Sequence, residues 1–327
     1  MPETLLDLTL EPKAYAGILF VGDPHIAASP PGFRLDDYAE TVLHKLAFSL
    51  ETAAQRAYLP IILGDLFHVP RDNPNSLLVA LIDLFRLHKP WVLVGNHDKY
   101  EARLTRDVSL AVLDAAGVVR LLDREGPVAS VTVAGRKILI GTSPDWTPLP
   151  GTVNPNGHDY VIWLTHHDLA FPGYESARTN LREIPGVDLV VNGHIHTPKP
   201  PQRYGRTLWL NPGSLTRISR SQVTRNLKPV ITAWVPAEDE FEVFEVPHQP
   251  FDEIFPALDE ADADDHAPVD ESMFIRGLEN LALRKTSEGV GLRAFLDVNL
   301  TGENPVDKII WELYEEIMQH GKERDQD

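Results

Sequence analysis

Five short apolar runs in this sequence each lead directly into a polar segment that contains aspartate, asparagine or histidine. The central run, residues 61–63, predicts a strand buried on both faces, and Gly64 then lets the backbone turn before Asp65. In an open α/β sheet, ligands bind outside the carboxyl ends of the strands. Because all five segments supply nitrogen and oxygen ligands, we predict a metal centre at one sheet edge, with Asp65 as the bridge. The other four runs are residues 18–21, 91–94, 161–164 and 189–191.

Helical patterns separate the first three runs. Apolar residues recur at helical spacing over residues 35–58 and again over residues 76–87. A strand–helix–strand–helix–strand order indicates a parallel sheet with helices on its faces. Later in the chain, residues 128–140 and 230–246 have the pattern of β-hairpins. We therefore predict an α/β fold of two packed mixed β-sheets flanked by helices, followed by a small acidic C-terminal α+β segment.

Composition limits the kind of metal site and the cellular location. The 327 residues include no cysteine, so a metal centre must use imidazole, carboxylate and amide ligands. No apolar run is long enough to span a bilayer, and the first residues lack the pattern of a signal peptide. The resulting expectation is a cytoplasmic protein with no membrane partner.

Negative charge is concentrated at the end of the chain. The formal net charge is −18, and residues 247–327 carry 20 acidic against 7 basic side chains. An acidic protein is a poor general binder of polyanions, although a local metal site can still hold a phosphate. We assign residues 1–246 to a catalytic domain and residues 247–327 to an acidic C-terminal segment, either a reduced cap or a partner-binding element.

Each polar segment taken alone has an ordinary explanation, such as a helix cap, a turn or a surface histidine. Five such strand ends in one chain are improbable by coincidence. Their sequence also resembles the calcineurin-like metallophosphoesterase family, whose signature has five parts in the order found here. The matching residues are Asp23 and His25, Gly64-Asp65 with His68, Gly95-Asn96-His97-Asp98, His166 after its strand, and Gly193-His194 with His196.

The resemblance implies two divalent ions, with Mn²⁺ first and Fe²⁺ or Zn²⁺ as alternatives, and a metal-bridging hydroxide that attacks phosphorus. Within the family, residues 64–68 followed by Arg71 and Pro74 are most similar to the SbcD-type DNA-repair nuclease branch. The protein phosphatase branch has a Val-Asp-Arg-Gly run after Gly-Asp, which this chain lacks. By the family pattern, one ion takes Asp23, His25, Asp65 and His196, and the other takes Asp65, Asn96, His166 and His194.

The resemblance also implies catalytic roles for three further side chains. His97 would protonate the leaving group or stabilise the phosphate, and Asp98 would fix the tautomer of His97 and raise its pKa. His68 would contact the non-bridging phosphate oxygens. His166 and His167 compete for one ligand position because neighbours in a strand face opposite ways, and the family pattern favours His166.

Arginines follow the turn at residues 211–214. Arg217, Arg220 and Arg225 are candidates to bind a substrate backbone, and an ordinary surface loop explains them equally well. We take Arg217 and Arg220 as the substrate-binding candidates.

Three functions remain open from the sequence. The first is a DNA nuclease, either an exonuclease or an endonuclease, with DNA as its partner. The second is a phosphodiesterase or phosphatase for cyclic nucleotides or other small phosphoesters. The third, an inactive metal-binding scaffold, is disfavoured because every ligand and His97 are present. Residues 247–327 are too few for both a DNA-recognition cap and a segment that binds an SMC-like ATPase, which argues against DNA end processing with that ATPase. The partner expectations are an SMC-like ATPase or another protein bound through this segment, and a homodimer.

Overall fold

The computed structural model describes residues 9–31, 33–174, 177, 179–236, 241–256 and 311. The chain divides into two compact units, Met1–Asp264 and Asp265–Asp327, and every strand and helix described below belongs to the first unit. The elements expected after residue 256 lie outside the described residues, apart from residue 311. The boundary predicted after residue 246 and the character of the segment that follows it remain predictions.

Two β-sheets form the centre of the first unit. The six-stranded sheet has the order β13-β12-β2-β3-β4-β5, and the seven-stranded sheet has the order β1-β6-β7-β8-β9-β11-β10. The strands are β1 (Thr9–Tyr15), β2 (Gly17–Val21), β3 (Tyr58–Ile62), β4 (Trp91–Leu93), β5 (Arg120–Leu122), β6 (Gly126–Val133), β7 (Arg136–Ser143), β8 (Tyr160–Thr165), β9 (Leu189–Asn192), β10 (Lys199–Tyr204), β11 (Thr207–Asn211), β12 (Val230–Trp234) and β13 (Phe241–Glu245).

Parallel pairing brings the carboxyl ends of the key strands to common edges. Strands β2, β3, β4 and β5 pair in parallel, as do β7, β8, β9 and β11. Antiparallel pairs, including the two predicted hairpins β6–β7 and β12–β13, complete the mixed sheets. The predicted fold of two mixed sheets flanked by helices is therefore confirmed for the described residues.

Five helices complete the described part of the chain: α1 (Tyr38–Arg56), α2 (Asn75–His88), α3 (Ser109–Ala115), α4 (Gln222–Asn226) and α5 (Phe251–Ile254). Helix α1 begins after Asp37, whose carboxylate accepts a hydrogen bond from the Glu40 N–H at 3.1 Å. It ends at Arg56, and the backbone of the following residue, Ala57, adopts a φ of 55°. Its apolar stripe packs in one core with α2 and the six-stranded sheet; the stripe consists of Val42, Leu46, Leu50 and Ala53.

Alternation along the strands explains why the sheets pack together. Ile18 and Phe20 of β2 and Ile61 of β3 belong to a core shared with the seven-stranded sheet, including Ile140 and Ile162. The intervening side chains of the same strands belong to the core under the helices; they are Leu19, Val21 and Ile62. Both faces of these strands are buried, as their continuous apolar runs predict. No helix in the described part of the chain combines the length and apolar character that a membrane span requires.

Candidate metal centre

The polar strand ends of both sheets converge on two groups of possible metal ligands. In the first group, Asp23, His25, Asp65 and His196 offer ligand atoms within 4.8 Å of one another. In the second, Asp65, His166 and His194 meet the same limit. Asp65 belongs to both groups, which is the position expected of a bridging carboxylate.

Asn96 adds an oxygen to the second group. Its Oδ1 lies 3.0 Å from Nδ1 of His194 and 3.1 Å from Nε2 of His166. The structure therefore brings together all seven side chains proposed as ligands, four around each position with Asp65 shared. A carboxylate, amide and imidazole set of this kind suits first-row divalent ions.

Close backbone approach requires glycine beside these ligands. A Cβ on Gly95 would lie 2.2 Å from Oδ1 of Asp65, and a Cβ on Gly64 would lie 2.5 Å from Nδ1 of His166. Several ligands themselves adopt a left-handed backbone conformation that non-glycine residues rarely adopt; they are Asp23 (φ 39°), His25 (φ 48°), Asp65 (φ 48°) and His194 (φ 73°). Such backbone strain persists where the surrounding structure fixes a functional site.

Backbone amides orient the two carboxylates. The N–H of His97 donates to Oδ1 of Asp65, and the N–H of His194 donates to Oδ1 of Asp23, both at 2.8 Å. The second oxygen of Asp65 lies 3.2 Å from Nε2 of His166 and 3.5 Å from Nε2 of His25. Asp65 thus uses one oxygen to fix its position and directs the other towards the imidazoles.

The donor set fits divalent cations. Oδ2 of Asp23 and Nδ1 of His25 are buried without a hydrogen-bond partner. The Nε2 atoms of His25 and His196 face each other at 3.0 Å. Buried acceptors are costly when unpaired, and a cation among them would satisfy several at once.

The buried charges also favour cations. Burial, opposed by His166 and reinforced by Asp65, raises the pKa of Asp23 to about 7. Burial also acts to raise the pKa of Asp65, but the neighbouring imidazoles of His166 and His97 hold it well below its usual range. The pKa of His25 is lowered well below its usual value, chiefly by burial. Divalent ions would stabilise the ionised carboxylates together with neutral imidazoles, the protonation states that bind metal.

His97 and His68 lie beside the first group. Their rings stack with centroids 5.5 Å apart, and both form a further cluster with His25. Burial and the neighbouring His97 lower the pKa of His68 to about 4, so His68 is neutral at physiological pH. A neutral imidazole can donate one hydrogen bond to a phosphate oxygen without adding charge to the site.

Asp98 occupies a different role from the predicted one. Its two carboxylate oxygens accept hydrogen bonds from the backbone N–H groups of Phe67 (3.1 Å) and Gly95 (3.0 Å). The Nδ1 of His97 instead lies 2.7 Å from the carbonyl oxygen of His68. The expectation that Asp98 fixes the tautomer of His97 is therefore wrong: a backbone carbonyl does so, while Asp98 holds two ligand-bearing loops together.

The two adjacent histidines after β8 point in different directions. His166 lies in the second group, and its Nδ1 is 2.8 Å from the carbonyl oxygen of Leu63. The Nε2 of His167 is 2.6 Å from the carbonyl oxygen of Thr147, away from the ligands. The structure thus places the favoured residue, His166, at the centre.

Two of the three arginines after β11 are engaged within the protein. Arg217 is only 3% exposed, and its guanidinium donates to the carbonyl oxygen of Gln249 at 3.0 Å. Arg225 pairs with Asp252 on α5. Burial contradicts the proposed contact between Arg217 and substrate, because its side chain packs into the protein interior. The role proposed for Arg220, which is half-buried, stays a prediction.

Three residues that brace the ligand loops were missed by sequence reasoning. The hydroxyl of Ser214 donates to the carbonyl oxygen of Asp23, and that of Tyr38 donates to the carbonyl oxygen of His25, both at 2.8 Å. The side chain of Asn192 bonds both the N–H and the carbonyl oxygen of His167. Two of them carry a sequence signal: Ser214 lies in the turn at residues 211–214, and Asn192 opens the polar segment that contains His194.

One known protein family matches the part of the chain that carries the ligands. The Calcineurin-like phosphoesterase family matches residues 16–198. No protein with a curated description matches the chain.

Solved structures that are similar to this chain include three with low sequence identity. A hypothetical protein from Thermus thermophilus has a TM-score of 0.42 and 17% identity, over 71% of this chain and 100% of its own. A 5'-nucleotidase precursor from the same organism has a TM-score of 0.41 and 16% identity, over 70% of this chain but only 54% of its own length. A predicted phosphoesterase from Streptococcus pneumoniae has a TM-score of 0.31 and 14% identity, over 74% of this chain and 94% of its own.

The family match covers more than half of the chain and contains every ligand segment described above. This chain therefore belongs to the calcineurin-like phosphoesterase family and is a metal-dependent phosphoesterase.

Proposed function

We propose that this protein hydrolyses phosphodiester bonds in DNA, using two divalent ions, Mn²⁺ in particular, that share Asp65. The observation that carries this proposal is the pair of four-ligand groups with a common carboxylate, beside which His68 and His97 stack. Two such ions lower the pKa of a bound water and neutralise charge on the attacking and leaving oxygens of a phosphate.

The protein's own groups would divide the remaining work. The hydrogen bond between Nδ1 of His97 and the carbonyl oxygen of His68 leaves Nε2 of His97 as the atom that can deliver a proton to the leaving oxygen. The neutral ring of His68, stacked on His97, would donate to a non-bridging phosphate oxygen. Backbone N–H groups fix Asp23 and Asp65, so the ligand positions are set before substrate arrives.

Two features support DNA as the substrate. Residues 64–68 with Arg71 and Pro74 resemble the nuclease branch of the family. Several side chains of the centre are only half-buried, so the ligand edge is open to a chain-like substrate; these are His68, Asn96, His97, His194 and His196. A partner ATPase, another protein partner and a homodimer remain predictions.

One observation favours small phosphoesters as a second candidate. A cleft of about 620 Å³ lies among the loops at the same sheet edge, and its lining includes Arg103, Arg124 and Trp146. Clefts of roughly 300–1,000 Å³ are typical of small-ligand sites. A mononucleotide or cyclic nucleotide is therefore the main alternative to DNA.

A substrate panel with Mn²⁺ tests the proposal. We expect hydrolysis of single- or double-stranded DNA at a higher kcat/KM than that of cyclic nucleotides or of a phosphomonoester. His97→Ala should lower kcat on DNA by about 10²- to 10⁴-fold, the range for loss of a general acid, while two metals per chain remain bound. The matched control is His44→Ala, which removes an exposed histidine of α1 and should leave kcat unchanged. Preferential hydrolysis of the phosphomonoester, or full activity of His97→Ala, would contradict the proposal.

A further inference from the structure

The cleft beside the metal centre has a defined place in the fold. It is formed by the segments that follow β4, β5 and β7, at the carboxyl edge of the sheets. Its lining includes Arg103, Asp123, Arg124, Glu125, Trp146 and Thr147. None of these residues is a metal ligand or a catalytic residue of the site described above.

The segment that carries Trp146 is tied to both loops of the second ligand group. On one side, the carboxylate of Asp145 pairs with Lys99 at 2.8 Å, three residues beyond Asn96. On the other side, the carbonyl oxygen of Thr147 lies 2.6 Å from Nε2 of His167, the neighbour of His166. Trp146 is therefore held between the loop that carries Asn96 and the loop that carries His166.

The lining combines one aromatic side chain with balanced polar groups. Trp146 is half-buried and packs against the core under the helices. Arg103 and Arg124 supply donors, and Asp123 and Glu125 supply acceptors, so the formal charges cancel. Arg124 and Asp123 also form an exposed ion pair with each other at 3.9 Å, which a ligand would have to share or replace. A neutral set is a poor match for a chain of phosphates. It suits a flat heteroaromatic ring whose edge carries both donors and acceptors, because such a ring can stack on an indole and bond at its rim.

We propose that this cleft binds the nucleobase of the nucleotide that carries the scissile phosphate, with the base stacked on Trp146. The inference rests on the proposed phosphodiesterase function. It names the part of the substrate that is recognised beside the second ligand group. The base can belong to a DNA strand or to a free nucleotide, since both present the same ring. Arg103 and Arg124 then contact acceptors on the base edge, while the phosphate reaches the metal centre.

Two chromogenic substrates with the same leaving group separate base recognition from catalysis. Thymidine 5′-p-nitrophenyl phosphate carries a base, and methyl p-nitrophenyl phosphate carries none. Base–aromatic stacking of the usual strength corresponds to about a tenfold change in affinity or more. We therefore expect Trp146→Ala to lower kcat/KM on the thymidine substrate about tenfold more than on the methyl substrate, chiefly through KM. Trp146→Phe, which keeps an aromatic face, should restore most of that difference.

A control variant and an abasic oligonucleotide complete the experiment. Tyr204→Ala removes an exposed aromatic ring of β10 and should change neither substrate's kinetics. An oligonucleotide with an abasic residue next to the cleaved bond, compared with the intact strand and with competing thymidine 5′-monophosphate, distinguishes a strand base from a free nucleotide. An equal loss on both chromogenic substrates, or no loss on either, would overturn the proposal.

The proposal for the cleft can be tested even if the proposed function is wrong. If wild-type protein hydrolyses neither chromogenic substrate, the phosphodiesterase proposal fails, and calorimetry with thymidine 5′-monophosphate then tests the cleft directly. Nucleotide binding that is weakened about tenfold by Trp146→Ala and recovered by Trp146→Phe would support the cleft. Binding unaffected by both substitutions, or no binding to wild-type protein, would refute it.

Discussion

Replacing Gly95 with alanine adds one methyl group next to the bridging carboxylate. The new Cβ would lie 2.2 Å from Oδ1 of Asp65, 2.5 Å from the backbone N of Asp65 and 2.8 Å from Cε1 of His166. Ordinary contact begins at 3.4 Å, so the carboxylate or its strand must move by about 1.2 Å. The cost arises from contact and not from backbone strain, because the φ angle of Gly95 lies outside the positive range.

A displacement of that size exceeds what a metal centre tolerates. Metal–ligand distances hold to within about 0.2 Å, and a misplacement of about 1 Å in an active site can reduce the rate about 10²-fold. Overpacking of this kind also costs about 1–3 kcal/mol of stability. We therefore expect Gly95→Ala to bind fewer than two Mn²⁺ per chain and to lose about 10²-fold in kcat, although no ligand is changed.

Gly151→Ala is the matched control, since a Cβ there meets no atom within 4 Å and the φ angle of Gly151 is not positive. The assay combines metal analysis after desalting, thermal unfolding, and hydrolysis of bis-p-nitrophenyl phosphate with Mn²⁺. Gly151→Ala should match the wild-type protein in all three. If Gly95→Ala kept two metals per chain and kcat within about threefold of wild type, the close contact between Gly95 and Asp65 would not be needed to position the ligands.

Two substitutions away from the ligands test the surroundings of the centre. Tyr38→Phe removes the 2.8 Å hydrogen bond to the carbonyl oxygen of His25. It should cost about 1–3 kcal/mol of stability and lower the affinity for metal about 10- to 100-fold. A Mn²⁺ affinity equal to that of the wild type would contradict this bracing role. Burial, with Arg34 and Arg217 nearby, lowers the pKa of Lys45 to about 7. Between about pH 7 and 10.5 the unfolded chain therefore binds more protons than the folded protein. The free energy of unfolding should rise with pH across that window. Lys45→Met should remove that rise, which is on the order of 4 kcal/mol. Urea unfolding at pH 7 and pH 10 gives the change in the free energy of unfolding with pH for the wild type and for the variant. The same change in both proteins would refute the assignment.

The sequence predicted the parts of the structure that depend on local pattern and strand order. Runs such as residues 61–63 are buried on both faces, and the parallel order of β2, β3 and β4 places Asp23, Asp65 and Asn96 at one edge. Glycine before a ligand was visible as a turn signal, and the structure adds its steric reason. These features could be predicted because side-chain alternation and parallel pairing fix where a strand end lies.

Contacts between distant loops could not be predicted in the same way. Ser214 supports Asp23 across 191 positions of the chain, and Asp98 joins loops 31 positions apart. Such contacts depend on the path of each loop, which no local period encodes. For the same reason, the sequence makes Arg217 a substrate-binding candidate, whereas the structure buries it and pairs it with the carbonyl oxygen of Gln249. The cleft at Trp146 likewise exists only once three separate loops meet.

Crystals of the protein grown with Mn²⁺ and measured at the manganese absorption edge test the central claim most directly. Two anomalous peaks about 3.5–4 Å apart are expected, both bound to the carboxylate of Asp65. One should be completed by Asp23, His25 and His196, and the other by Asn96, His166 and His194. A single peak, or two peaks that do not share Asp65, would contradict the two-metal account.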